Sequence, residues 1–298
     1  MAVGSYSQGP VDVAIIGAGE MGSAVGRRLR QMGAHVMTEL KGRSGQSVRR
    51  ALDAGLEVIN DDASLVQRAE FILSIVPPAV ARAVAERFHA PLTRATRKPV
   101  FVDCNAIAPS SVRVIDALLK DTGCIFVDAG IIGGPPSLDD LTKGPRFYAS
   151  GPQANKFASL GAYGLDIWVL DGPIGAASGL KLAYAGLTKG FTALGAAMMR
   201  VAASQRLDGP LRAELARSQP DLLARLERFL PGMLHKAYRW VAEMEEIADF
   251  VGDDARGGDI YRGAARLYEQ IAAEFQDNST SEWVATLQTF AKPSGGKP

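Results

Sequence analysis

The sequence predicts a doubly wound α/β domain followed by an all-α domain, and three observations carry that expectation. Short β-rich apolar runs alternate with helical patterns from Val11 to about Asp171. Those runs are almost continuously apolar, which is how strands read when helices cover both faces of a mainly parallel sheet. After Gly172 the strand-like runs give way to Ala-, Gly- and Leu-rich helical patterns. The expected domains are therefore 11–171 and 172–290, divided at the turn signal Asp171-Gly172-Pro173.

In chain order, strands are expected at Val11–Ile16, Ala34–Thr38, Phe71–Val76, Val100–Asp103, Ile125–Asp128, Arg146–Ala149 and Ile167–Leu170. The second half opens with a long helix from Ile174 to about Ser204. Further helices are expected around Gly209–Phe229, Met233–Phe250, Asp259–Glu274 and Ser281–Phe290. The small, polar segments Met1–Pro10 and Lys292–Pro298 read as frayed ends.

Composition narrows the function classes. Hydrophobic residues make up 47% of the 298 and charged residues 22%, enough for a proper core in each domain. A formal net charge of +1 creates no broad field for nucleic acid or an anionic membrane, so a small-molecule partner is expected. The sequence shows neither a signal-peptide pattern nor an apolar run long enough to span a bilayer, and the expected location is cytoplasmic. Cys104 and Cys124 sit in apolar runs and read as free thiols. His35, His89 and His235 show no metal-ligand spacing with them, and no metal site is expected.

The first chemical motif is Gly17-Ala18-Gly19-Glu20-Met21-Gly22, a G-x-G-x-x-G between an apolar strand and a helix that closes at Gly33. In that context the glycines have separate uses: a tight turn at Gly17, close approach of backbone to a pyrophosphate at Gly19, and strand–helix packing at Gly22. The helix N-terminus offers N–H groups and a positive dipole end to phosphates. A Rossmann dinucleotide site is expected, with Glu20 and Met21 inside it. Glu39 ends the second strand, where a carboxylate suits the ribose hydroxyls of NAD. Lys41, Arg43 and Ser44 follow it and suit a 2′-phosphate, so NADP is favoured and NAD remains open. Val76-Pro77 and Asn105 follow the third and fourth expected strands, on the edge where such sheets bind ligands. Asn105 reads either as a hydrogen-bond partner of the nicotinamide ribose or carboxamide, or as a turn residue before Pro109.

Met21 before the third glycine, the segment Asp128–Gly134 (DAGIIGG) and the run from Gly175 to Lys181 (GAASGLK) together resemble the β-hydroxyacid dehydrogenases. The wording of Lys181–Gly190 and Tyr238–Ile247 is similar to the poorly characterised branch with a 6-phosphogluconate-dehydrogenase-like helical domain. The resemblance covers about Val11 to Phe290. It implies that Lys181 is the general acid/base, that Gly133 and Gly134 bind a substrate anion, and that the protein is a homodimer through its helical domain. The very apolar stretch Phe191–Ala203 supports the last of these, because it needs cover. Tyr184 and Thr188 share a helical face with Lys181, and Lys189 lies close to it, which makes Tyr184 and Lys189 candidate substrate contacts. The glycines at 175, 179, 186 and 190 serve either close approach or small-residue packing.

Two positions depart from the resemblance. Ala185 stands where better-known relatives carry an Asn, and Ile132 stands where they carry a Ser. Ile132 therefore lines a more apolar pocket. The leading expectation is hydride transfer between NADP and a β-hydroxy acid, or its oxo acid or semialdehyde. An imine reductase of the same two-domain plan is the alternative, favoured by Ile132 and Ala185 and opposed by Lys181. A dinucleotide-binding protein without chemistry is the third reading. Arg239, Glu243 and Glu246 read as an ion-paired helix face, and His235 as structural.

Overall fold

The structure is a computed structural model and describes residues 10–252, 256–276, 285 and 287. The expected tails and the helix at 281–290 lie outside these residues, except for Pro10 and the helical Ala285 and Leu287. Cα packing divides the chain into two compact units between Lys181 and Leu182.

The first unit is built on eight strands: β1 Asp12–Ile16, β2 His35–Thr38, β3 Glu57–Val58, β4 Phe71–Ser74, β5 Val100–Asp103, β6 Ile125–Ile132, β7 Arg146–Ser150 and β8 Asp166–Val169. Their order is β3-β2-β1-β4-β5-β6-β7-β8. All pairs are parallel except β6–β7, so the first six strands follow the doubly wound pattern expected from the sequence. Strand β3 was not expected: its two exposed residues are too few to carry a hydrophobic pattern. Strand β6 runs four residues past the expected Asp128, because antiparallel pairing with β7 continues from Ala129↔Ala149 to Ile132↔Arg146.

Alternate side chains along the strands feed two cores. On one face Val13, Ile15, Val102 and Phe147 pack with Val25 and Leu29 of α1 (Glu20–Gln31) and Phe157 of α6 (Ala154–Ala158). On the other, Ile72, Phe101 and Phe126 meet α3 (Asp62–Arg68), α4 (Ala81–Arg94) and α5 (Pro109–Leu119) through Leu65, Phe88 and Ile115. Phe101 takes Phe88 edge-on at 6.3 Å and stacks on Phe126 at 6.2 Å. Each such fully buried ring contributes about 1.5–3 kcal/mol. The remaining helix, α2 (Gly45–Asp53), starts at Ser44, whose Oγ accepts from Ser47 N–H.

The unit boundary falls ten residues beyond the expected turn at Asp171-Gly172-Pro173. The first turns of α7 (Ala176–Ala185) bond to the sheet through Asp128 and pack on Gly130, which keeps 172–181 with the strands.

The second unit is helical. The long helix expected from Ile174 to Ser204 is α7 and α8 (Phe191–Ser204), joined by a π-helical turn at Gly186–Gly190. The single helix expected at Gly209–Phe229 is two, α9 (Asp208–Ser218) and α10 (Pro220–Met233). Pro220 forbids an α conformation at Gln219, which sits at φ −143°, ψ 57° and breaks the run. Helices α11 (Ala237–Val251) and α12 (Gly257–Gln276) follow. Tyr268 of α12 is fully buried and meets the Trp240 ring edge-on at 5.2 Å. At Gly195 a Cβ would lie 2.3 Å from Leu226 Cδ2, so α10 packs its Leu226 side chain directly onto the backbone of α8. Among the described residues no helix is long and apolar enough to cross a membrane.

Candidate active site

The expected dinucleotide loop leaves β1 and enters α1. Gly17 has φ +100°, and a Cβ there would come within 2.2 Å of the Ile75 carbonyl oxygen. A Cβ on Gly22 would lie 2.1 Å from the Gly17 carbonyl oxygen. Gly19, the N-cap of α1, has open space where its Cβ would be, and no side chain caps the helix. The two crowded glycines fold the loop tightly and the open one lets a phosphate reach the amides, so the residues fit a pyrophosphate. Met21 packs half-buried against the sheet core, and Glu20 is the exposed first residue of α1. Gly22→Val is expected to weaken dinucleotide binding at least about tenfold, the equivalent of ~1.4 kcal/mol of strain, in a fluorescence titration.

Val76 lies beside this loop, its Cγ1 2.8 Å from the position of a Gly17 Cβ. Its N–H donates to Asn105 Oδ1 at 2.7 Å, while Asn105 Nδ2 donates to Ser74 Oγ at 3.1 Å. The buried Asn105 amide thus ties the end of β5 to the end of β4 and fixes Val76 and the exposed Pro77. The sequence left two uses for Asn105 open; the geometry shows a third, a clasp between strand ends.

Beyond β2 stand Lys41, Arg43 and Ser44, all exposed. Glu39 is buried behind them. One of its carboxylate oxygens accepts from Lys41 N–H, and the other faces Arg87 of α4 at 3.5 Å. Sequence reasoning missed Arg87, which lies 48 residues from Glu39 and carries no local signal.

Asp103 ends β5 with its side chain fully enclosed. Oδ1 accepts from Asn105 N–H at 3.0 Å, and Oδ2 has no hydrogen-bond partner among the described residues. Burial pushes its carboxyl up to about 7, the Asn105 bonds pulling the other way. The folded protein then holds a proton that the unfolded chain has released between about pH 4 and 7, so this group's contribution to stability falls as pH rises through that window. Asp103→Asn is expected to remove the fall. The stability gap between variant and wild type, from urea unfolding at pH 5 and pH 8, is expected to widen toward high pH by about 2–3 kcal/mol.

The most heavily bonded side chain of this region is Asp128 on β6, completely buried. Oδ2 accepts from the backbone N–H groups of Gly175, Ala177 and Ser178 at 2.9, 3.0 and 3.2 Å and from Ser150 Oγ at 2.8 Å. Oδ1 accepts from Ser178 Oγ at 2.5 Å. A carboxylate from the sheet therefore satisfies the N-terminal amides of α7 and sits at the positive end of its dipole. Lys181 lies one turn further along the helix. A Cβ on Gly130 would fall 2.8 Å from the Ala177 carbonyl oxygen and 2.9 Å from Lys181 Cβ, so the bare backbone of β6 lets α7 lie against the strand. Two residues past Gly130 the strand ends at half-buried Ile132, followed by exposed Gly133 (φ +125°) and Gly134. The signal for Asp128 was present: an aspartate inside the apolar run IFVDAGII has to be paired if it is buried.

The other two expected substrate contacts belong to the helical unit. Tyr184 is exposed, and its carbonyl accepts from Thr188 Oγ1 at 2.9 Å. Lys189 lies in the π turn. Its ammonium donates to buried Glu243 and stands 5.2 Å from the Trp240 ring centroid, while its carbonyl accepts from Tyr268 OH at 2.6 Å. Glu243, expected on an ion-paired face of its own helix, thus also makes a cross-helix ion pair. Tyr261 packs on Gly186 and Gly190, and His235 meets Phe275 edge-on at 4.7 Å. Among the described residues, no group of three or more His, Cys, Asp or Glu side chains is placed to hold a metal.

Comparison with known proteins agrees with this geometry. Residues 12–161 match the family model of the NAD binding domain of 6-phosphogluconate dehydrogenase, half of the chain. The chain belongs to that family, within the β-hydroxyacid dehydrogenase superfamily. Residues 202–271 match a helical domain of unknown function, DUF1932. This 6-phosphogluconate-dehydrogenase-like chain is similar over 91% of its length to all of a conserved protein of unknown function with structural similarity to 3-hydroxyacid dehydrogenases, at 27% identity and TM-score 0.65. It shares its fold with Mycobacterium tuberculosis 3-hydroxyisobutyrate dehydrogenase solved with L-serine, at 17% identity and TM-score 0.70 over 94% of this chain and 99% of that one. An imine reductase from Myxococcus stipitatus solved with NAD+ has the fold too, at 20% identity and TM-score 0.53 over 96% and 100%. The match makes residues 12–161 an NAD-binding domain.

Proposed function

We propose that this dehydrogenase-family protein uses NADP to interconvert a β-hydroxy acid and its oxo acid or semialdehyde, with Lys181 as general acid/base. The observation that carries the reading is the placement of Lys181: one turn into a helix anchored on Asp128 and laid against Gly130, on the strand that leads to Gly133-Gly134. The loop from Gly17 to Gly22 holds the pyrophosphate, and Lys41, Arg43 and Ser44 take the 2′-phosphate. When bound, the nicotinamide supplies or accepts the hydride. In oxidation Lys181 Nζ takes the hydroxyl proton as the carbon gives up hydride; in reduction it returns that proton to the carbonyl oxygen. The N–H groups of Gly133 and Gly134 orient the substrate carboxylate, and Ile132 makes the adjoining wall apolar. Asn105 acts through Val76, and Lys189 holds the π turn to α11. Tyr184 remains a substrate contact in this reading.

Ile132 also favours a second reading, reduction of a cyclic imine, since nothing about that side chain selects a hydroxyl. Turnover of NADP and NAD measured side by side against 3-hydroxy acids, their semialdehydes and cyclic imines separates the two. The expected result is hydroxy-acid oxidation with NADP. Turnover confined to imines would replace the proposal with the second reading, and absence of turnover with every substrate despite cofactor binding would sink both.

The same reading makes the protein a homodimer through its helical unit. Leu194, Met198 and Val201 follow the π turn at four- and three-residue spacings and are all more than half exposed, as is Leu187 within the turn, an apolar surface that a second copy would cover. Light scattering is expected to return twice the 31.6 kDa chain mass.

A further inference from the structure

We propose that Arg87 and Asp62 set cofactor preference by holding the Glu39 carboxylate away from the adenosine ribose. The inference rests on the reading above in one respect, that the dinucleotide binds with its ribose at the end of β2. In that position a free carboxylate accepts hydrogen bonds from the 2′-hydroxyl of NAD and repels a 2′-phosphate. Glu39 is not free: its side chain is 6% exposed, with one oxygen on the Lys41 N–H and the other on the Arg87 guanidinium.

Arg87 is held from its other side. Its Nε lies 3.1 Å from Asp62 Oδ2, so one cation spans two carboxylates that are close enough to repel each other. With Glu39 turned inward and compensated, the exposed residues after β2 include Lys41, Arg43 and Ser44. Each of these suits a phosphate. The carboxylate that by position would mark an NAD site is thus masked. Without Arg87, Glu39 and Asp62 repel one another with no cation between them. Glu39 then swings toward solvent, accepts from the ribose hydroxyls and disfavours the 2′-phosphate.

The test is a double-mutant cycle on binding, read by titration calorimetry with NADP+ and NAD+ on wild type, Arg87→Ala, Glu39→Gln and the double variant. Wild type is expected to bind NADP+ more tightly. Arg87→Ala is expected to cut the NADP+ over NAD+ preference by about tenfold, the equivalent of ~1.4 kcal/mol. In the Glu39→Gln background the same change is expected to alter the preference by less than about twofold. NAD+ binding retained by each variant shows that it is folded. An equal loss of preference in both backgrounds overturns the clamp, because Arg87 would then act on the phosphate itself. So does an unchanged preference in Arg87→Ala, or a wild type that prefers NAD+. A wild-type chain that binds neither dinucleotide overturns the reading underneath, and the clamp falls with it.

Discussion

Lys181→Ala is expected to lower kcat by about 10²–10⁴-fold with hydroxy-acid substrates, the range over which general acid–base catalysis contributes. The dissociation constant for NADP is expected to stay within about twofold of wild type. The two halves of that expectation come from different parts of the first unit. In the proposed reading affinity resides in the glycine loop and in the residues after β2, and the proton transfer at Lys181 Nζ. Lys181→Arg is a sharper version of the same experiment: it keeps the positive charge but substitutes a group that does not give up its proton in proteins. Arginine is therefore expected to be nearly as inactive as alanine, whereas a lysine serving only as an electrostatic contact would be largely rescued by it. Imine reduction that survives both substitutions would make Lys181 a bystander and move the protein to the second reading.

The parts of the site legible in the sequence are those in which one short segment carries the whole mechanism. Gly17, Gly19 and Gly22 lie within six residues, and the strand before them and the helix after them are contiguous with the motif. Lys181 was reached through a resemblance, and the structure supplies what the resemblance lacked, a physical anchor for its helix. That anchor joins residues 47 to 50 positions apart, Asp128 to Gly175, Ala177 and Ser178. Local periodicity says nothing about such pairings. The same distance hid the engagement of Lys189 with Glu243, 54 residues on, and the clasp made by Asn105 across 29. Hydrophobic patterning also missed the π turn, because Gly186–Gly190 reads as two more weak helical residues flanking three ordinary ones. A π turn inserts an extra residue per turn, so the face shared by Lys181, Tyr184 and Thr188 on an ideal helix does not continue through Lys189.

Asp128→Ala is expected to cost about 3–5 kcal/mol of stability, the effect of removing one partner from a buried, charge-assisted network. Its loss strands the Gly175 and Ser178 N–H groups and the Ser150 and Ser178 hydroxyls in a site closed to solvent, while Ala177 N–H keeps Ser150 Oγ at 3.0 Å. Asp128→Asn separates the contribution of charge from that of shape. An amide fills the same volume and keeps one acceptor, but its NH₂ faces donors and it brings no negative charge to the helix end. Its expected cost is roughly half as large, which leaves a folded protein for kinetics. In that folded variant kcat is expected to fall at least about tenfold while KM and the NADP dissociation constant change by less than about threefold. The split follows from what Asp128 touches. Among the described residues it bonds the start of α7 and Ser150, and neither the glycine loop nor Gly133-Gly134. A helix less firmly seated at its N-terminus moves Lys181 relative to β6, and misplacement of about 1 Å at a reacting group costs on the order of 10²-fold in rate. A stability loss with kcat unchanged would confine Asp128 to the fold. A fall in kcat larger than the loss of folded protein would make it the positioning residue for Lys181.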